Sequence, residues 1–110
     1  MPLSEKARIE VYIPDLPQQI YQHLLDALAQ EFTYTFGGAT IIRGLDGHYL
    51  ARLGVRVQDR VHLLYTDTPF AFAENFASLS RYTDALREAA FEALTEEAML
   101  VVVLQVYHAE

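Results

Sequence analysis

Residues 99–107 read Met-Leu-Val-Val-Val-Leu-Gln-Val-Tyr, a β-branched run apolar at odd and even positions alike. A strand alternates its side chains between two faces, so such a run needs cover on both sides of its sheet. That requirement constrains the chain more than any other feature. It calls for helices on one side and, on the other, cover by a second subunit or by a further segment of the chain.

The remaining segments supply the helices and the other strands. Residues 8–13 alternate, with Ile9, Val11 and Ile13 on one face and Arg8, Glu10 and Tyr12 on the other, a strand buried on one side. Pro14 ends it. Asp15 followed by Gln18, with Pro17 between them, resembles a capping box, and Ile20, Leu24, Leu28 and Phe32 recur at helical spacing, which predicts a helix over about residues 16–30. A second helix is predicted from a cap at Asn75 or Ser78 to about Thr95, with Leu79, Tyr82, Leu86 and Ala90 on its apolar stripe.

Between the helices lie the strands of a hairpin region. Asp46-Gly47 is the strongest short turn signal, since a type I′ turn needs positive φ at both central residues. A turn there pairs Gly44 with Tyr49 and Arg43 with Leu50, and the aromatic ring shields the strand glycine. A second turn at residues 58–60 pairs Val57 with Val61, Val55 with Leu63 and Leu53 with Tyr65. In this register Val61, Leu63 and Tyr65 face the core, and no polar group such as His62 has to be satisfied there.

The order strand, helix, two or three antiparallel strands, helix, strand resembles the ferredoxin-like α/β plait, βαββαβ, here with an extra β-hairpin at Asp46-Gly47. The resemblance covers nearly the whole chain as a pattern of elements, without a residue motif. It implies an α+β fold with two helices on one face of an antiparallel sheet, and no functional residue is carried over from it. One domain spanning residues 1–110 is expected: the chain is long enough for one core, and no linker, repeat or low-complexity tract divides it.

Fifteen acidic against eight basic residues give a net charge of −7, a balance that disfavours nucleic acid and anionic membrane. No apolar run reaches the length of a membrane span and no cysteine is present, so a cytoplasmic protein without disulfides or thiolate metal sites is expected. Residues 41–62 form the one basic region, with Arg43, Arg52, Arg56 and Arg60 against Asp46 and Asp59. Arg52 and Arg56 share a strand face. The expected registers bring Arg43 and His62 beside them, a stripe on the helix-free face able to take a carboxylate or phosphate. The bland reading of the same residues is a solvated face.

Tyr12 and His62 are expected together on that face, which leaves room for a small enzyme resembling the dimeric α/β-barrel oxygenases and isomerases, with a cavity under the sheet. Phosphate-loop, dinucleotide, zinc-protease and serine-nucleophile motifs are absent, and Asp46, His48, His62 and Asp67 match no standard metal spacing. Neither catalytic residue, metal nor cofactor is assigned. The reading is a small, non-catalytic binding or regulatory module that forms a homodimer through the free face of its last strand. It engages an acidic protein or small anion through Arg43, Arg52, Arg56, His62 and Tyr12. Cover of that face by the tail, the hairpin or residues 70–76 is the alternative to a second subunit.

Overall fold

The computed structural model describes residues 3–50, 56–94 and 100–109, with side chains apart from those of 47–50 and 56–59. The elements are β1 (Leu3–Pro14), α1 (Gln19–Phe36), β2 (Thr40–Leu50), β3 (Arg56–Asp67), α2 (Phe76–Leu94) and β4 (Leu100–Ala109). The four strands form one antiparallel sheet in the order β2-β3-β1-β4, with both helices on one face. This is the ferredoxin-like plait that the element order implies. No helix among the described residues is long and apolar enough to cross a membrane.

The alternation in β1 does what its pattern requires. Ala7, Ile9, Val11 and Ile13 have no exposure and form the floor of the core, beneath Leu25, Leu28 and Phe32 of α1 and Leu79, Leu86, Ala90 and Leu94 of α2. Val101 and Val103 of β4 pack against the same cluster. Residues 70–76 also lie on this side. Phe72 joins the core cluster, and the Phe70 carbonyl accepts from the Ala7 amide at 2.9 Å, so this loop does not cover the helix-free face.

Helix α1 starts and ends later than its periodicity indicates. Gln18 occupies the cap position without a side-chain capping bond, and Asp15, the expected cap, pairs with β3 instead. The helix runs to Phe36, where Gly37 takes a left-handed φ of 94° and its amide donates to Thr33 O at 2.9 Å. That conformation suits glycine and closes the last turn. Helix α2 begins directly after Asn75, whose carbonyl accepts from Leu79 N.

The hairpin region departs most from expectation. Asp46 and Gly47 lie inside β2 and pair with Arg60 and Asp59, while Tyr49 pairs with Val57 and Leu50 with Arg56. The expected extra hairpin is therefore an outward extension of one β2–β3 hairpin beyond the sheet, whose connecting residues, 51–55, lie outside the described ones. Gly44 does not pair with Tyr49. The register shifts between Ile42 and Leu45, so Arg43 and Gly44 form a bulge opposite His62, with Gly44 at φ 71°.

One consequence is a change of face. Ile13 pairs with His62, Val11 with Leu64 and Ile9 with Thr66, which puts those three β3 residues on the helix side. Val61, Leu63 and Tyr65, expected in the core, are on the open face. His62 and Thr66, expected on the open face, are covered. Their polar atoms are satisfied: Thr66 Oγ1 donates to Gly38 O at 2.7 Å, and His62 is bonded on both ring nitrogens. A polar core position is tolerated when it is fully bonded, which is why burial alone points to the wrong register.

Candidate functional site

The helix-free sheet face carries residues 42 and 45 of β2, the odd positions 61–67 of β3, the even positions 4–14 of β1 and the even positions 100–108 of β4. One end is apolar. Leu100 is 58% exposed and Ile42 41% exposed, and Val102, Leu104, Val61 and Leu63 are half-buried between them. The two-sided apolarity of the last strand thus divides cleanly, with Val101 and Val103 under α2 and Leu100, Val102 and Leu104 facing outward.

Toward its other end the face is charged and internally paired. Arg8 Nε and Nη2 donate to Asp67 Oδ1 and Oδ2 at 2.6 and 3.0 Å, and Arg8 Cζ stands 4.3 Å from the Tyr65 ring centroid. His108 Nε2 lies 2.9 Å from Asp67 Oδ2, so it donates to the carboxylate. Tyr12 Oη donates to Glu10 Oε1 at 3.0 Å. The hydrogen bond from Arg8 holds the Asp67 carboxyl below its ordinary range, and the same bond raises Arg8. Burial, then the bond to Glu10, pushes the Tyr12 phenol up.

Of the five residues proposed from the sequence, Tyr12 is on one side of the sheet and Arg43 and His62 are on the other. Tyr12 is on the open face. Arg43 sits in the bulge, and its Nη1 donates to Gln22 Oε1 of α1 at 3.2 Å. His62 is on the helix side, where Nδ1 accepts from the Gly44 amide at 3.1 Å and Nε2 lies 3.2 Å from Asp15 Oδ1. An accepting Nδ1 places the proton on Nε2, directed at Asp15. Arg60 stands between Asp15 and Asp46, at 3.8 and 3.9 Å. Arg56 opens β3 at the outer end of the hairpin arm, and Arg52 lies outside the described residues.

Arg8, Asp67 and His108 are the polar residues that sequence reasoning missed. The parity of β1 grouped Arg8 with Glu10 and Tyr12, which was a usable signal. Asp67 lies 59 residues from Arg8 and 41 from His108, so their meeting depends on two strand pairings. Asp67 and His62 are on opposite sides of the sheet, and among the described residues no group of three or more His, Asp or Glu is arranged to hold a metal ion.

Solved structures share this architecture. A phage SAM lyase in complex with S-methyl-5′-thioadenosine matches over 96% of this chain and 90% of its own, at 14% identity and a TM-score of 0.56. CutA from Synechococcus elongatus PCC7942 matches over 94% and 79%, at 12% identity and 0.54. The divalent cation tolerance protein CutA1 from Thermus thermophilus matches over 96% and 85%, at 20% identity and 0.51. No protein-family model matches the sequence, and no curated protein does. At these identities the likeness establishes the fold, a ferredoxin-like plait with counterparts among both cation tolerance proteins and an enzyme.

Proposed function

We propose that this protein is a small cytoplasmic binding or regulatory module that self-associates through its helix-free sheet face, in the first instance as a homodimer. One observation carries the reading: the face combines an apolar end with a polar cluster whose members bond to one another. Closing a second copy over Arg8–Asp67–His108 covers a cation already bonded to its carboxylate, with the Glu10 carboxylate, which accepts from Tyr12, close enough to interact with the same Arg8. Strands of this length, four of them about 4.8 Å apart, offer roughly 600 Å2, near the ~800 Å2 that each partner gives a standard interface.

The fold is shared by a lyase and by cation tolerance proteins, so it does not choose between catalysis and binding. The side chains favour binding. Tyr12 is separated by the sheet from His62 and Arg43, so the three line no common cavity. Arg56 opens β3, and we assign to it, with Arg52, the contact with an acidic protein or small anion.

Native mass spectrometry tests self-association. The wild type is expected as a dimer at micromolar concentration, and Leu104→Glu as a monomer with an unchanged far-ultraviolet spectrum. A wild-type monomer overturns the reading. Charge reversal of Arg52 and Arg56 is expected to abolish binding of poly-glutamate or inorganic phosphate while leaving assembly intact, and undiminished binding removes the two arginines from consideration.

A further inference from the structure

On the helix side, across the sheet from the proposed subunit contact, a cavity of about 340 Å3 lies where the end of α1 meets the first turns of α2. That is within the range of small-molecule sites, which begins near ~300 Å3. The rings of Phe36, Phe70 and Tyr82 and the buried Leu79 supply its apolar walls. Phe70 and Tyr82 each stand at 81° to Phe36, with centroids 6.4 and 5.3 Å away. Phe70 remains 44% exposed at the opening.

Two opposite charges are anchored to the polar lining. Tyr82 Oη and Thr35 Oγ1 both donate to Glu31 Oε1 at 2.9 Å, which holds a carboxylate beside the cavity and leaves Oε2 to accept from a ligand. Arg81 Nη2 donates to Ser78 Oγ at 3.4 Å, a long bond readily exchanged for a stronger acceptor. Ser78 and Tyr82 are four residues apart and so lie on one face of α2, and with Thr35 of α1 they line the cavity, which brings both charges to its border. A carboxylate and a guanidinium bordering one cavity with aromatic walls complement a zwitterionic head group on an apolar side chain.

We propose that this cavity binds a free α-amino acid with an aromatic or branched apolar side chain. Glu31 receives the ammonium, Arg81 and Ser78 receive the carboxylate, and Phe36, Phe70 and Leu79 enclose the side chain. The site is independent of the sheet face and gives the module a ligand whether or not that face is a subunit contact.

Calorimetric and 1H–15N NMR titrations of the full chain with L-phenylalanine and L-leucine test this. Saturable binding is expected, with shifts at residues 36, 70, 78 and 82. Phenethylamine lacks the carboxylate and N-acetyl-L-phenylalanine lacks the ammonium, so each should bind about tenfold or more weakly, as expected for a lost charged hydrogen bond. Glu31→Gln and Arg81→Gln, both at exposed positions, should weaken L-phenylalanine similarly without loss of fold. No saturation by about 10 mM L-phenylalanine overturns the proposal. So does phenethylamine binding as well as L-phenylalanine, or equal binding by Glu31→Gln.

Discussion

Arg8 of β1 and Asp67 of β3 stand opposite each other and are joined by two parallel hydrogen bonds, while His108 of β4 reaches the same carboxylate. One acid thus ties three strands on the open face. Arg8→Met keeps the stem that lies along the sheet and removes the donors. With Arg8 27% and Asp67 18% exposed at the side chain, solvent screens part of the loss, which we expect to be about 1–2 kcal/mol in urea denaturation.

The same pair sets an acid limb of stability. The Asp67 carboxyl is held below its ordinary value of 3.8 by the Arg8 hydrogen bond, with His108 acting in the same direction against burial. The unfolded chain takes up this proton first, so the contribution is complete above the ordinary carboxylate range and is lost as pH falls below about 4. Denaturation midpoints measured from pH 6 to 2 should fall less steeply for Asp67→Asn than for wild type.

Tyr82 sets an alkaline limb of opposite sign. Burial, then its bond to Glu31, raises the phenol well above its ordinary value of 10.0. The folded state retains the proton longer, so the contribution is intact below that value and declines as pH rises past it. Absorbance titration near 295 nm should show phenols that resist ionisation until the chain unfolds, with Tyr82→Phe removing one of them.

Gly44 and His62 stabilise the bulge jointly. An added Cβ at Gly44 would lie 2.6 Å from Arg60 Nη2, a flexible end that can move aside, so the cost of Gly44→Ala comes mainly from φ 71° and is expected near 1 kcal/mol. His62→Ala leaves the Gly44 amide without its acceptor, for about 1–2 kcal/mol. Loss of the His62 acceptor frees the bulge to relax from φ 71°, so the double variant should lose less than the sum, as measured by a double-mutant cycle in urea.

Much of the plait was legible without coordinates. The β1 alternation, the helical stripes through Phe32 and Ala90 and the inner face of the last strand each report on their own burial, because periodicity is local. The turn was not legible. Asp46-Gly47 has strong hairpin chemistry, yet pairing of β2 with a twelve-residue β3 carries the strand through it. Local propensity yields when the longer ladder satisfies more backbone groups.

The sequence by itself determined β1, both helices and the last strand, and that the last strand is apolar on both faces. Only the tertiary structure decided which β2 and β3 side chains face which way. A strand repeats every two residues, so one bulge at Arg43-Gly44 and a displaced turn suffice to carry His62 beneath the helices and Leu63 onto the open face. The Arg8–Asp67–His108 cluster was beyond local pattern for the same reason, since its members meet only once β3, β1 and β4 have taken their register.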